Sequence, residues 1–130
     1  MPKKTRGEKG YKPIKLKCNV KEDSEWNLLN EDEVKLFNSK VICRPYKVDE
    51  TIFMQGDSCK GLYLIESGLV AIRKLDEDGR SVVIRLGYPG DSIGYRPMLA
   101  RENHRASAEV IKDASVCFVE TKTMRQLISN

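Results

Sequence analysis

Residues 56–94 read GDSCKGLYLIESGLVAIRKLDEDGRSVVIRLGYPGDSIG. Short apolar runs, Leu62–Ile65, Leu69–Ile72 and Val82–Leu86, alternate with glycine-bearing breaks at Ser67-Gly68, Asp78-Gly79 and Pro89-Gly90-Asp91. Glycine reaches positive φ without steric penalty, and this is what tight connections between antiparallel strands demand. Asp76-Glu77-Asp78-Gly79 is the clearest hairpin signal, and Ser67-Gly68 is expected to make a second tight turn. Many short strands at this spacing predict a mainly β protein with flanking helices: an antiparallel β-roll, jelly-roll-like, rather than a parallel sheet.

Working outward, Val41–Arg44 ends at Pro45, and Tyr46–Glu50 turns into Thr51–Met54, which adds strands on the N-terminal side. Before them, Asn30 precedes Glu31, Asp32 and Glu33. An amide side chain there caps the first turn, Glu33 stands at the reciprocal position of a capping box, and acidic residues favour the positive end of the helix dipole. With Val34 and Phe37 at helical spacing, Glu31–Ser39 is predicted as a helix, preceded by a looser turn holding Trp26 and Leu28. On the C-terminal side, Tyr95–Glu102 reads as helical or irregular, and Ala106–Ile111 with Ser115–Val119 as a last hairpin. Thr121 is expected to cap a helix over 122–129, whose stripe of Met124, Leu127 and Ile128 is apolar.

The 130 residues suffice for one domain, and the charge is unevenly spread. Residues 1–21 hold eight basic side chains against Glu8 alone, a balance of +7 in a chain of total +4, so the remainder carries −3. That divides the chain into a basic leader over 1–23 and a folded domain over 24–130. A basic tail on an acidic body is not a compact nucleic-acid face. Cys18, Cys43, Cys59 and Cys117 fall singly, without a Cys-x-x-Cys pair, so no metal site is expected. Cys43 and Cys117, in apolar strands, are expected as small buried hydrophobes in reduced form. Neither a signal peptide nor a membrane-spanning stretch is legible, so the expected location is cytoplasmic and no membrane partner is expected.

Asp49-Glu50-Thr51-Ile52-Phe53 followed by Gly56-Asp57, then Leu62–Gly68, then Pro89-Gly90-Asp91, resembles the cyclic-nucleotide-binding-type domain of the CRP/FNR family of bacterial transcription regulators. The likeness runs from about residue 29 to the C-terminus, and Gly94-Tyr95-Arg96 with Ala106–Glu109 resembles FNR-like members. In nucleotide-binding members, the resemblance implies, a cassette opens with Gly-Glu, whose carboxylate holds the ribose, and closes with Arg-Ser or Arg-Thr, whose guanidinium neutralises the cyclic phosphate. Gly94 matches the glycine, but Tyr95 stands in the glutamate's place and offers a phenol instead of an anionic acceptor. Counted back from Asp113, the arginine position falls on His104 and the hydroxyl position on Arg105. A loop one residue different puts Arg105 on the phosphate and Ala106 on the hydroxyl position. One residue of shift turns a strand side chain to the opposite face, so only one register presents Arg105 to the roll. Arg96 is a second candidate anion partner, Ser107 completes the candidate segment, and His104 outside the pocket would be a solvent-facing loop residue.

The resemblance implies an effector-sensing domain that takes a small ligand in the roll, a cyclic nucleotide being one candidate. The alternative is a ligand-free interaction or dimerisation module with a degenerate pocket, docking through the Met124, Leu127 and Ile128 face. In the family a long dimerisation helix and a helix-turn-helix domain follow. Contact with DNA would thus fall to a C-terminal domain absent from these residues, and a homodimer is expected of the full-length protein. The iron–sulfur cluster of the FNR branch draws on N-terminal cysteines, of which only Cys18 lies in that region here. A weaker expectation is redox sensing through Cys18 or Cys59. Catalysis is not expected: nothing orients His104 toward Ser107 as a nucleophile, and the glycines are not gathered into a phosphate loop.

Overall fold

The computed structural model describes residues 29–129; the leader expected over 1–23, the turn holding Trp26 and Leu28, and Cys18 lie outside them. In chain order come α1 (Glu31–Lys40), β1 (Ile42–Tyr46), β2 (Thr51–Phe53), β3 (Gly61–Leu75), β4 (Ser81–Gly87), β5 (Ser92–Ile93), α2 (Tyr95–Ala100), β6 (Ser107–Glu120) and α3 (Thr121–Ser129). One antiparallel sheet carries all six strands in the order β1-β6-β3-β4, with β2 added on β6 and β5 on β3.

The local signals act as their chemistry predicts. Asn30 Oδ1 accepts from Glu33 N at 2.8 Å while Asn30 N donates to Glu33 Oε1 at 2.9 Å, a complete capping box. At the hairpin, Asp76 Oδ1 accepts from Asp78 N and Arg80 N, and Gly79 takes φ 80°.

Two expected turns are absent, for one reason. Ser67-Gly68 is a bulge inside the continuous β3, and Ala106–Val119 is no hairpin but nearly the whole of β6. Val110 pairs with Val70 and Val116 with Ile65, so both halves of β6 pair with β3 rather than with each other. The register shifts between Ile65 and Val70 let the two long strands bend together. Gly68 makes the bend passable: its φ is 88°, and a Cβ there would lie 2.5 Å from Asp113 O and 2.6 Å from Ala114 Cα.

Alternation along the paired strands splits the core in two. Tyr46, Phe53, Ile65, Val70, Ile72, Ile93, Ala108, Val110 and Val116 fill the roll. Leu62, Leu64, Cys117 and Val119 face the other way and are covered by Phe37, Met98, Met124 and Leu127 from the three helices. A fully buried leucine or phenylalanine contributes about 1.5–3 kcal/mol, so this second layer anchors α1, α2 and α3 to the sheet. Met124 and Leu127 are therefore internal, and of the expected docking stripe only Ile128 is exposed. Thr121 lies within α3 and its Oγ1 is buried without a partner, so it does not cap the helix as expected.

The cysteines also depart from expectation. Cys43 is exposed, stands directly opposite Cys117 in the β1–β6 ladder, and is joined to it in a disulfide; Cys117 is fully buried. A separation of 74 residues conceals a pairing that the antiparallel register makes direct.

Candidate ligand-binding site

The candidate residues lie on two segments, the β5–α2 junction and the approach to β6. Gly94 sits at the N-cap of α2 with φ 88° and no side chain, leaving Tyr95 and Arg96 exposed on the first helical turn. A Cβ on Gly94 would come within 3.3 Å of His104 Cε1, so the glycine also gives the imidazole its room.

Two backbone hydrogen bonds set the orientation of the second segment. Gly56 N donates to His104 O and His104 N donates to Asp57 O, each at 2.8 Å, tying this stretch to the loop after β2. Side chains then alternate: His104, Ala106 and Ala108 are buried, while Arg105, Ser107 and Glu109 turn away. His104 is only 4% exposed, not a solvent-facing loop residue. Its ring stacks on Phe53 with centroids 3.7 Å apart and an interplanar angle of 11°, and Tyr63 closes the group at 6.4 Å from His104 and 5.3 Å from Phe53.

Arg105 points outward, and its guanidinium pairs with Glu102 Oε2, with Nε at 3.0 Å. Ser107 Oγ accepts from Gln55 N at 2.8 Å, and Glu109 pairs with Arg73 at 3.2 Å. Of the two registers left open by the sequence, the structure takes the one that puts His104 inward.

Burial pushes the His104 imidazole below its ordinary value of 6.5, and the nearby negative charge of Asp57 only partly opposes this. Burial likewise raises the Tyr63 phenol above 10.0. At neutral pH His104 and Tyr63 present a neutral imidazole and a neutral phenol, hydrogen-bonding groups that carry no charge themselves. Phe53 and Tyr63 were not singled out by the sequence. Their signal was position in strands and in the segments that carry the resemblance, which marks them as core rather than as neighbours of His104.

A surface cleft of about 590 Å³ lies elsewhere, bordered by Cys59, Met98, Arg101, Phe118, Thr121 and Arg125. Cys59 Sγ is half-buried there, 3.4 Å from Gly61 O, and burial raises its thiol pKa.

Residues 43–130 match the cyclic nucleotide-binding domain family. The chain belongs to that family, in its CRP/FNR branch. The anaerobic regulatory protein of Bacillus subtilis is 30% identical over 109 residues, which are 82% of this chain and 46% of that protein. The catabolite activator protein of Thermus thermophilus superposes with a TM-score of 0.70 at 30% identity, over 78% of this chain and 47% of its own. The sensor domain of the transcriptional regulator DNR from Pseudomonas aeruginosa superposes with a TM-score of 0.75 at 15% identity, covering 81% of this chain and 71% of that one, a likeness of fold. This cyclic nucleotide-binding domain spans less than half the length of the curated relatives it matches. Those relatives are named as regulators, and the domain's fold superposes on that of the catabolite activator protein. No helix among the described residues is long and apolar enough to cross a membrane.

Proposed function

We propose that this domain is the regulatory module of a CRP/FNR-type transcription regulator whose roll is closed to cyclic nucleotides, its input being something other than a phosphate held by arginine. The observation that carries this is the inward, stacked His104 beside an outward Arg105. A cyclic phosphate needs a cation or a set of aligned donors to offset its desolvation, and a neutral imidazole packed on Phe53 supplies neither. Tyr95 in the glutamate's place takes away the ribose acceptor as well.

The module is non-catalytic. Among the described residues, Ser107 Oγ is engaged by Gln55 N and His104 is packed on an aromatic ring, so neither is free for general-base chemistry. Contact with DNA belongs to a separate domain, because α1, α2 and α3 are each separated by strands and form no helix-turn-helix. A second copy is the expected partner. β4 is the outer strand of the sheet and exposes Val82, Val83, Ile84 and Leu86, an apolar run suited to burial between subunits.

Isothermal titration with cAMP and cGMP tests the proposal. The expected result is no heat of binding up to high micromolar nucleotide. Saturable one-to-one binding that Arg105→Ala abolishes would overturn it, since Arg105 would then have to turn into the roll.

A further inference from the structure

The disulfide has a third neighbour. Cys43 lies on β1, Cys117 on β6 and Glu66 on β3, three adjacent strands of the sheet. Cys43 and Cys117 are directly opposed with Cα atoms 3.8 Å apart, and Glu66 Oε2 lies 4.0 Å from Cys117 Sγ. The sulfur and carboxylate donor atoms of the three residues all fall within 4.8 Å of one another. Ser115 Oγ donates to Glu66 Oε1 at 2.9 Å and turns the other carboxylate oxygen toward the sulfurs. Cys117 is buried, Glu66 half-buried and Cys43 exposed, which leaves an entry path from solvent.

We propose that in the dithiol form of this domain Cys43, Cys117 and Glu66 bind one thiophilic divalent cation of the zinc class. Two thiolates are soft donors and select such an ion over magnesium or calcium. Two thiolates and a carboxylate form the three-ligand set of an open tetrahedral site, with water in the fourth position. Ser115 is the outer-shell partner that holds the carboxylate in place. Binding releases the two thiol protons to solvent. The disulfide and the metal use the same two sulfurs, so each excludes the other. Opening the disulfide takes two electrons and two protons, which a phosphine and water supply as the phosphine becomes its oxide. The expectation of no metal followed from spacing along the chain. A ladder joining residues 74 apart assembles the donors across strands instead of within one turn.

The test uses the full chain, reduced with a phosphine, freed of reductant without air, and titrated with Co2+ as a spectroscopic stand-in for zinc. The expected result is one equivalent bound, with a near-ultraviolet sulfur-to-cobalt charge-transfer band that an equivalent of Zn2+ bleaches. The disulfide form should bind none. Cys43→Ser, at an exposed position, and Cys117→Ser should each remove the band. Glu66→Gln should keep the band but weaken binding by more than about tenfold, the lower end of the loss caused by removing an outer-shell partner. Cys18→Ser and Cys59→Ser should leave stoichiometry and affinity unchanged. No stoichiometric band, a band that survives Cys43→Ser, one that Cys18→Ser or Cys59→Ser removes, or an unaltered affinity in Glu66→Gln would each overturn the proposal.

Discussion

The imidazole of His104 lies flat on the ring of Phe53, 3.7 Å between centroids and 11° between planes. The contact joins the approach to β6 to β2. Removing it tests the packing role directly. His104→Ala should lower unfolding stability by about 2 kcal/mol in urea melts, from a lost stacked pair plus a small cavity. A loss under about 0.5 kcal/mol would mean that the stack is incidental.

The same residue makes stability depend on pH. Its folded pKa lies below the unfolded value of 6.5, so between the two the unfolded chain binds the proton and the folded domain does not. The contribution is complete above pH 6.5 and is lost as pH falls from there toward the folded pKa. Denaturation midpoints across pH 5–8 should therefore decline on the acid side, and His104→Phe should flatten that part of the curve. An unchanged slope in the variant would assign the acid sensitivity to other groups.

The glycines that punctuate the strands are not equivalent. Gly68 and Gly79 both have positive φ, but a Cβ on Gly79 meets nothing within 4 Å, whereas one on Gly68 runs into the β6 backbone. Gly79→Ala should cost about 1–2 kcal/mol of backbone strain. Gly68→Ala should cost clearly more, read as the difference between the two thermal melts. Equal losses would show that β6 gives way at the bulge.

Adjacent residues of α3 should likewise separate. Leu127 is 7% exposed and Ile128 49%. Leu127→Ala should destabilise by about 2–5 kcal/mol and Ile128→Ala by under about 1 kcal/mol in chemical denaturation. A reversal would return the helix face to the role of a docking surface.

Arg105→Ala should change stability by no more than about 0.5 kcal/mol, because its partner Glu102 is also exposed and such pairs contribute little. A larger loss in a denaturation curve would show the guanidinium doing something inside the roll.

Periodicity and turn chemistry made most of the elements legible. The Asn30–Glu33 box and the Asp76–Gly79 hairpin turn depend on interactions within a few residues, and the strands 62–65 and 82–86 stand out as apolar runs between turns, so both are written directly in the chain. The continuity of β3 through Ser67-Gly68 and of β6 through 106–119 is not legible in the sequence, because a bulge and a turn look alike until the partner strand is known. Gly94, Tyr95, Arg96, His104, Arg105, Ala106 and Ser107 could be located as a candidate segment, but which of them faces inward could not.

By itself the sequence determined the roll and its flanking helices, since these follow from residue identity and short-range spacing; that Tyr95 stands where the cassette has a glutamate is what the resemblance implies. Tertiary structure alone decided that His104 points inward and Arg105 outward, and that Cys43, Cys117 and Glu66 share one face of the sheet. The physical reason is common to both. Side-chain direction in a strand reverses with every residue of register, and register is set by hydrogen bonds to distant segments, here Gly56 and Asp57 for His104 and the β1–β6 ladder for the cysteines.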